Sequence, residues 1–367
     1  MKTIGIDASR ANRALKTGVE RYCFEIIREI LRQRPEDWHV RLYVDQPARR
    51  DVADMADAHA EVRHLRWLPR VLWTQTRLAW ETFRRRPDLV FVPGHVLPAL
   101  HSRPAVTVIH DVAFASHPEG YTPHGRFYLM ITTWLAVRTA DRIIVPSTAV
   151  KDDLLKIFPA KGLTERIRVV PHGVSVPAPL ADGECAMVRA KLGLRQPYVL
   201  MLGRVEAKKN VARAAQAVAL VRKEHSDLQF ALIGRPGAGY ERMRPSFAGQ
   251  PWAVELGPLP DREMFALLQG ASLLLFPSLA EGFGLPILEA FSYGVPVVTS
   301  QGGATAEVAG GLAHLVDPAS PESIADGIRR ALIDTDPVVC ERRRAHAGSF
   351  TWAEAGKKTI AVLKEIV

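Results

Sequence analysis

The stretch Ser272–Ser300 reads SLLLFPSLAEGFGLPILEAFSYGVPVVTS. Its first part, Leu273–Phe276, is an unbroken apolar run that predicts a strand buried on both faces. A turn follows, and Ile287–Tyr293 then predicts a short helix, because a proline precedes this segment and a glycine closes it. Val295–Thr299 is a second apolar run. The stretch therefore predicts a strand, a glycine-containing turn, a helix and a further strand.

The turn before the helix contains Glu281, Gly282 and Gly284. The start of a helix leaves backbone N–H groups without intrahelical partners and carries partial positive charge, so it suits an anion such as a phosphate. The glycines let the backbone approach a ligand closely. Glu289 lies eight residues after Glu281, and two carboxylates flanking a phosphate-binding turn can accept hydrogen bonds from hydroxyls on both sides of a diphosphate. A nucleotide sugar has such hydroxyls on its ribose and its hexose.

The segment Glu281–Glu289, EGFGLPILE, resembles the E-x7-E motif of retaining glycosyltransferases of the GT-B fold, family 4. The match includes the following GVPVV run and so contains many residue types at set spacing, whereas two glutamates alone would mean little. The resemblance implies an α/β fold of two Rossmann-like domains facing across a cleft. It also implies transfer of a sugar from a nucleoside diphosphate sugar with retention of anomeric configuration.

The length of 367 residues predicts two domains. We expect an acceptor-binding domain over 1–174, a donor-binding domain over 175–345 and a final helix over 346–367 that crosses back to the first domain. The three cysteines are far apart and predict neither a disulfide framework nor a metal site. Because no signal peptide or long apolar stretch is found, we expect a cytoplasmic enzyme.

The net charge of +9 is uneven along the chain. Residues 1–180 contain 27 Lys and Arg against 19 Asp and Glu, so the basic excess belongs to the first half. Its charge alone allows an anionic membrane surface, nucleic acid or phosphorylated acceptors as partners, and a solvated arginine-rich surface is the alternative. We expect no nucleic-acid partner.

One basic segment, Arg63–Arg86, holds Trp67, Trp73 and Trp80 among its arginines. It fits either an interfacial segment on the inner leaflet or a helix packed on its own domain, and the second interpretation is favoured. Five of its residues are spaced to line one helix face: Leu72, Gln75, Thr76, Ala79 and Phe83.

Two places in the first half carry candidate site residues. Lys16–Glu20 resembles the glycine loop of the family that faces the donor phosphates, with Gly18 as its glycine and Lys16 where the family often has another. The apolar run Val106–His110 predicts a strand that ends in His110 and Asp111, and ligands bind beyond the carboxyl ends of parallel strands. The resemblance implies that His110 approaches the donor sugar, and Asp111 is expected to orient it or its loop.

In the second half, a predicted strand ends in Gly203 and is followed by RVEAKKN, which resembles the family's G-R-x-x-x-x-K-N segment. The resemblance assigns the diphosphate to Arg204 and Lys209, with Lys208 as the alternative lysine. Fixed cations stabilise a departing nucleoside diphosphate more in the transition state than in the ground state. Asn210 is expected to cap the next helix.

The strand-end turns and the resemblance together imply a metal-independent, cofactor-free site in which Glu281 holds sugar hydroxyls and Glu289 the ribose. His110, Glu281, Arg204 and Lys209 are the expected catalytic residues. The expected donor contacts are Gly18, Gly203, Arg204, Lys209, Gly234, Leu259, Glu281, Gly282, Phe283, Gly284, Leu285 and Glu289.

The combination of TGVERY, HDVAF and EGFGLPILEA looks most like bacterial mannosyltransferases of surface polysaccharide assembly. It therefore favours GDP-mannose as the donor and a lipid-linked or polysaccharide glycan as the acceptor. Alternatives with the same fold are a UDP-sugar-dependent transferase, a sugar-nucleotide epimerase and a glycan phosphorylase. A non-catalytic nucleotide-sugar-binding partner of a glycan assembly complex is the alternative from another class.

Overall fold

The computed structural model describes residues 1–67 and 72–367, which divide into two compact units, each built on a parallel sheet. The first unit comprises Met1–Ala115, Pro123–Gly173 and Phe350–Val367. The second comprises Ser116–Thr122 and Val174–Ser349. The α/β class and the two Rossmann-like domains expected from the sequence are confirmed.

The first unit contains a seven-stranded sheet in the order β3-β2-β1-β4-β5-β6-β7. Its central strands are short apolar runs whose residues are all buried, as expected for a parallel sheet covered on both faces. The strands are β1 (Lys2–Asp7), β2 (Trp38–Val44), β3 (Ala60–His64), β4 (Leu89–Val92), β5 (Ala105–Val108), β6 (Arg142–Val145) and β7 (Ile167–Val169).

Helices connect these strands, and the first of them buries Tyr22, Ile26 and Ile30 on one face because these residues recur at helical spacing. Ser147 caps the sixth helix by accepting a hydrogen bond from the N–H of Val150, at 3.2 Å. The helices are α1 (Gly18–Gln33), α2 (Arg50–Ala53), α3 (Ala79–Arg84), α4 (Ala113–Ser116), α5 (Pro123–Thr139), α6 (Thr148–Ile157) and α7 (Leu163–Arg166).

The second unit contains a six-stranded sheet in the order β10-β9-β8-β11-β12-β13. The apolar run Leu273–Phe276 forms strand β11 of this sheet, and its four residues are fully buried. The strands are β8 (Tyr198–Leu202), β9 (Gln229–Ile233), β10 (Ala253–Gly257), β11 (Leu273–Phe276), β12 (Val297–Ser300) and β13 (His314–Val316).

The helices of the second unit pack their apolar residues on this sheet, and α9 and α14 share one core with β8, β9 and β11. The helices are α8 (Asp182–Lys191), α9 (Val211–Val221), α10 (Tyr240–Met243), α11 (Asp261–Gln269), α12 (Leu285–Ser292), α13 (Gly303–Ala309), α14 (Pro321–Leu332) and α15 (Pro337–Gly348).

The last helix, α16 (Trp352–Lys364), belongs to the first unit. Thr351 caps it, and its Ile360 and Leu363 enter the core that contains α1. The close approach of α16 to α1 requires a glycine at position 356, because a Cβ at Gly356 would lie 2.6 Å from the Cβ of Glu29. Beyond the helix, Glu365 accepts hydrogen bonds from the guanidinium groups of Arg142 and Arg168.

The structure corrects the prediction for Arg63–Arg86, of which residues 68–71 lie outside the described residues. The five residues do not line one helix face, because a π-helical turn over Thr74–Leu78 precedes α3. Ala79 is buried, whereas Phe83 is 53% exposed. Trp73 is buried and donates its indole N–H to the carbonyl of Leu65 at 2.9 Å, while Trp67 and Trp80 are exposed.

Candidate functional site

In the second unit, the carboxyl ends of β8 and β11 lie side by side, since these strands pair in parallel. The turn Gly203–Asn210 follows β8, and the turn Pro277–Gly284 follows β11. A backbone hydrogen bond of 2.7 Å from the N–H of Leu279 to the carbonyl of Lys208 joins the two turns. The two sequence motifs of the second half therefore meet at one edge of one sheet.

The two turns are also joined by an ion pair between Lys209 and Glu281, with 2.5 Å between Nζ and Oε1. The ammonium lies 4.6 Å from the ring centroid of Phe276, the last residue of β11, which adds a cation–π contact. Both side chains are mostly shielded, with 14% and 12% exposure. Because an ammonium has three donors, Lys209 can hold this carboxylate and a phosphate oxygen together.

The neighbouring lysine, Lys208, lies near a different carboxylate from Lys209. Its ammonium is 3.7 Å from a carboxylate oxygen of Glu206 within the same turn. Of the two lysines that the sequence offered, Lys209 contacts the glutamate of the β11 turn directly.

Two glycines bring the backbones after β8 and β9 into contact. Gly234 has φ 155°, and a Cβ at this residue would lie 1.7 Å from the carbonyl oxygen of Gly203. A third glycine, Gly237, lies beside the side chain of Arg204, since a Cβ there would be 2.6 Å from its Cγ. The Arg204 side chain thus runs along a glycine surface and stays exposed.

The prediction that Asn210 caps the helix after it is wrong. Asn210 precedes α9, but its side chain does not cap that helix. The residue has φ 63°, and its amide donates to the carbonyls of Pro277 at 3.1 Å and Pro318 at 2.7 Å. Asn210 therefore ties the turn after β8 to the turn after β11, a long-range role that local sequence does not indicate.

The start of α12 lies at the end of the β11 turn. Gly284 precedes the helix with φ 119°, Leu285 is its first residue, and Phe283 is buried. Glu281 lies in the turn before the helix, and Glu289 lies in the second turn of the helix, where it is 9% exposed.

The other predicted contacts of this unit lie at neighbouring strand ends. Leu259 follows β10 and is half-buried, and Gly234 follows β9. Sequence reasoning missed Phe276 beneath Lys209 and Gly237 beside Arg204. The aromatic at the end of β11 and the GRPG turn were visible signals, but their partners are 67 and 33 residues away.

The remaining two predicted residues belong to the first unit. Gly18 is the first residue of α1 and is exposed, with nothing within 4 Å of where a Cβ would stand. Lys16, in the same loop, pairs with Asp51, and its ammonium lies 4.6 Å from the ring centroid of Phe24.

His110 follows β5 and is only 7% exposed. Its Nε2 lies 2.8 Å from the carbonyl oxygen of Pro93. Since a carbonyl only accepts, Nε2 carries the proton and Nδ1 holds the lone pair of a neutral ring. Burial lowers the pKa of His110, so the imidazole is neutral near neutral pH. The adjacent Asp111 accepts from the N–H of Ala113 at 3.0 Å and so shapes its own loop.

Among residues 1–67 and 72–367, no group of three or more His, Cys, Asp or Glu side chains could hold a metal ion. Over the same residues, no helix is both long enough and apolar enough to cross a bilayer.

Comparison with known proteins gives consistent matches over both units. The family model for glycosyltransferase family 4 matches residues 16–176, and the model for glycosyl transferases group 1 matches residues 187–347. An O-antigen chain mannosyltransferase B from Escherichia coli is 28% identical, covering 95% of this chain and 96% of its own. A D-inositol 3-phosphate glycosyltransferase from Corynebacterium jeikeium is 31% identical over 63% of this chain and 58% of its own.

Solved structures share the fold. Anabaena HepE in complex with UDP and glucose has a TM-score of 0.74 at 19% identity and covers 99% of each chain. WaaG, a glycosyltransferase involved in lipopolysaccharide biosynthesis, has a TM-score of 0.70 at 16% identity and covers 99% of each chain.

Two Rossmann-like units, with the E-x7-E turn of the second paired to a lysine of the neighbouring turn, define a glycosyltransferase of the GT-B class. The chain belongs to glycosyltransferase family 4.

Proposed function

We propose that this glycosyltransferase moves mannose from GDP-mannose to a lipid-linked or polysaccharide acceptor, with retention of configuration and without a metal ion. The proposal is supported by the similarity to the O-antigen mannosyltransferase over 95% of the chain. A mannosyltransferase from Mycolicibacterium hassiacum is also 28% identical, over 63% of this chain.

The observation that carries the proposal is the cluster of Lys209, Glu281 and the start of α12, with Arg204 on the adjoining turn. The lysine, the arginine and the positive end of the helix are suited to the two charges of a diphosphate. Glu281 can accept hydrogen bonds from the sugar while it holds the lysine. We assign Gly282 to Leu285 to the diphosphate, and Glu289 to the ribose.

The proposed reaction takes place on one face of the sugar. The acceptor oxygen forms a bond to the anomeric carbon as the bond from that carbon to the diphosphate oxygen breaks, and the acceptor proton passes to the departing phosphate. Arg204 and Lys209 stabilise the charge that develops on the diphosphate. His110, neutral and buried, is assigned to contact with the sugar rather than to proton donation.

A second candidate donor is a UDP-sugar, because HepE, which has the same fold, has been crystallised with UDP-glucose. Titration with GDP-mannose, UDP-glucose and UDP-GlcNAc tests the donor. Product analysis with a membrane extract then tests transfer. Stabilisation by GDP-mannose and a mannosylated product are expected. Selective binding of a UDP-sugar would overturn the mannose assignment, and binding without any product would favour a non-catalytic partner.

We also propose that the enzyme works at an anionic membrane surface, through the outer face of α5. Phe127, Ile131 and Trp134 follow helical spacing and are 67%, 41% and 47% exposed. Arg138 lies with its guanidinium carbon 4.0 Å from the Trp134 ring centroid, and α5 contains no acidic residue. An apolar groove of about 560 Å³ adjoins this face and is lined by Pro123, Arg126, Phe127, Met130, Ile131, Trp134 and Phe158.

Exposed aromatic and aliphatic residues with arginines on one helix suit the interface of an anionic bilayer. Sedimentation with phosphatidylglycerol vesicles is the test, with phosphatidylcholine vesicles for comparison. The double variant Phe127→Ser, Trp134→Ser is expected to lose most binding, whereas Trp80→Ser in Arg63–Arg86 retains it. Loss only in Trp80→Ser would return the membrane contact to that segment, and concentration-dependent dimers lost in the double variant would assign the face to a second copy.

A further inference from the structure

Three aromatic side chains of the first unit, those of Tyr22, His172 and Trp352, pack with His110 into one cluster. Tyr22 of α1 approaches the His110 ring edge-on, at 4.8 Å between centroids and 80° between planes. His172, which follows β7, lies 4.4 Å from Tyr22 and 5.5 Å from His110. Trp352, the first residue of α16, stacks on His172 at 6.3 Å and 20°. We call these four residues the aromatic cluster.

The position of Trp352 is determined by the backbone around it. A Cβ at Gly173 would lie 2.3 Å from the backbone nitrogen of Trp352, so the start of α16 touches the chain directly after His172. Thr351 caps the helix by accepting from the N–H of Glu354 at 3.1 Å. Trp352 is 5% exposed. The start of the last helix is therefore held against the chain that follows His172, with the indole ring buried there.

His110 itself has one hydrogen bond that can orient its ring, the bond from Nε2 to Pro93. Within the described residues, its Nδ1 is buried without a hydrogen-bond partner, as is Nε1 of Trp352. A single hydrogen bond leaves the ring free to tilt about that bond. Packing against Tyr22 and His172, and through them against Trp352, supplies the remaining constraint.

We propose that Trp352 is a positioning residue for His110, acting through His172 and Tyr22 to hold the imidazole plane at the sugar-facing strand end. This inference rests on the proposed sugar contact of His110. It links the last residues of the chain to the reaction, although Trp352 itself is not expected to touch the substrate.

The cluster has a second consequence for His110. Both histidines are buried within the cluster, and burial lowers the pKa of His110 and, further still, that of His172. Removing the indole would admit water and relax that effect. A change in the histidine titration is therefore a readout that loss of helix packing elsewhere would not produce.

The test compares Trp352→Ala, Trp352→Phe and Ile360→Ala. Ile360 is also buried on α16, at 5% exposure, but lies outside the aromatic cluster, so its variant reports on helix docking alone. We expect Trp352→Ala to lower kcat at least tenfold with little change in KM for the nucleotide sugar. Trp352→Phe should recover most of kcat, and Ile360→Ala should retain it below its unfolding temperature.

Histidine C–H resonances followed by NMR during a pH titration complete the test. In Trp352→Ala the pKa of His110 and His172 should rise towards the ordinary value, and in Ile360→Ala they should not move. Equal losses of kcat in the two alanine variants, or unchanged titration in Trp352→Ala, would overturn the inference. If the wild-type protein transfers no sugar, the proposed function fails, while the titration still decides whether Trp352 controls the His110 environment.

Discussion

The two strand-end regions of the molecule have the same topology and opposite chemistry. In the second unit, an ion pair joins Lys209 of the turn after β8 to Glu281 of the turn after β11, and the exposed Arg204 lies beside Gly237 of the turn after β9. In the first unit, the strand ends around His110 are filled by aromatic rings and neutral histidines. We propose that the first of these regions holds the diphosphate and the second contacts the sugar, so that the same edge of a parallel sheet would take different ligand groups in the two units.

The largest expected effect is a loss of activity when the lysine that pairs with Glu281 is removed. Lys209→Ala should lower kcat/KM by about 10²–10³-fold, because a fixed cation at the leaving group is lost. Lys208→Ala should have a much smaller effect, since we assign the diphosphate contact to Lys209, which pairs with Glu281. Steady-state kinetics with the preferred donor measures both. Equal losses in the two variants would remove the distinction between the lysines.

The next largest expected effect is on protein stability, through the close backbone contact between the turns after β8 and β9. Gly234→Ala should reduce the free energy of unfolding by more than about 3 kcal/mol, because its Cβ would overlap the carbonyl of Gly203 at 1.7 Å. Gly183→Ala is the matched control, since nothing lies within 4 Å of its added Cβ in α8. There we expect a change of no more than about 0.5 kcal/mol, because Gly183 is exposed in the first turn of the helix. Urea denaturation measures both, and a stable Gly234→Ala protein would contradict the close approach.

The smallest expected effect is on the pH dependence of stability, which depends on the buried histidines of the first unit. Burial lowers the pKa of His110 and His172 and brings the pKa of His95 to about 4. Above the ordinary histidine pKa of about 6.5, these side chains are neutral in both the folded and the unfolded state, so their lowered pKa costs no folding stability. Below the ordinary pKa, the unfolded state takes up protons that the folded state does not, so stability falls by up to about 1.4 kcal/mol per pH unit for each histidine.

The measurement is urea denaturation at pH 7.5 and pH 5.5 for the wild type and His110→Gln. The variant should lose less stability between the two pH values, because it has one fewer group to protonate in the unfolded state. An equal loss in both proteins would show that His110 titrates normally.

The sequence could indicate where the two turns lie, because each follows a strand in chain order, whereas the donor-binding roles of their residues stay predictions. The EGFGLPILE turn and the lysine turn each follow a buried apolar strand, and parallel pairing of β8 with β11 brings them together without further information. The aromatic cluster was not predicted, because Tyr22 and Trp352 are 330 residues apart and meet only through α16. The edge strand β3 was missed because its residues are mostly polar, and α8 because it begins within a Pro- and Ala-rich stretch.

The Asn210 prediction was wrong for a related reason. An asparagine before a helix is usually a cap, but here its left-handed backbone turns the amide towards two distant carbonyls. Sequence gives the residue type favoured at a helix start, whereas the competing partners come from the turns after β11 and β13.

Calorimetric titration of the nucleoside diphosphate of the preferred donor tests the central claim most directly. If the diphosphate rests between Lys209 and the start of α12, Lys209→Ala should weaken binding about 10- to 100-fold, as expected for one charged hydrogen bond. Lys191→Ala, which removes only an exposed pair with Glu263, should leave the affinity unchanged. Equal affinity in Lys209→Ala and the wild type would contradict the account.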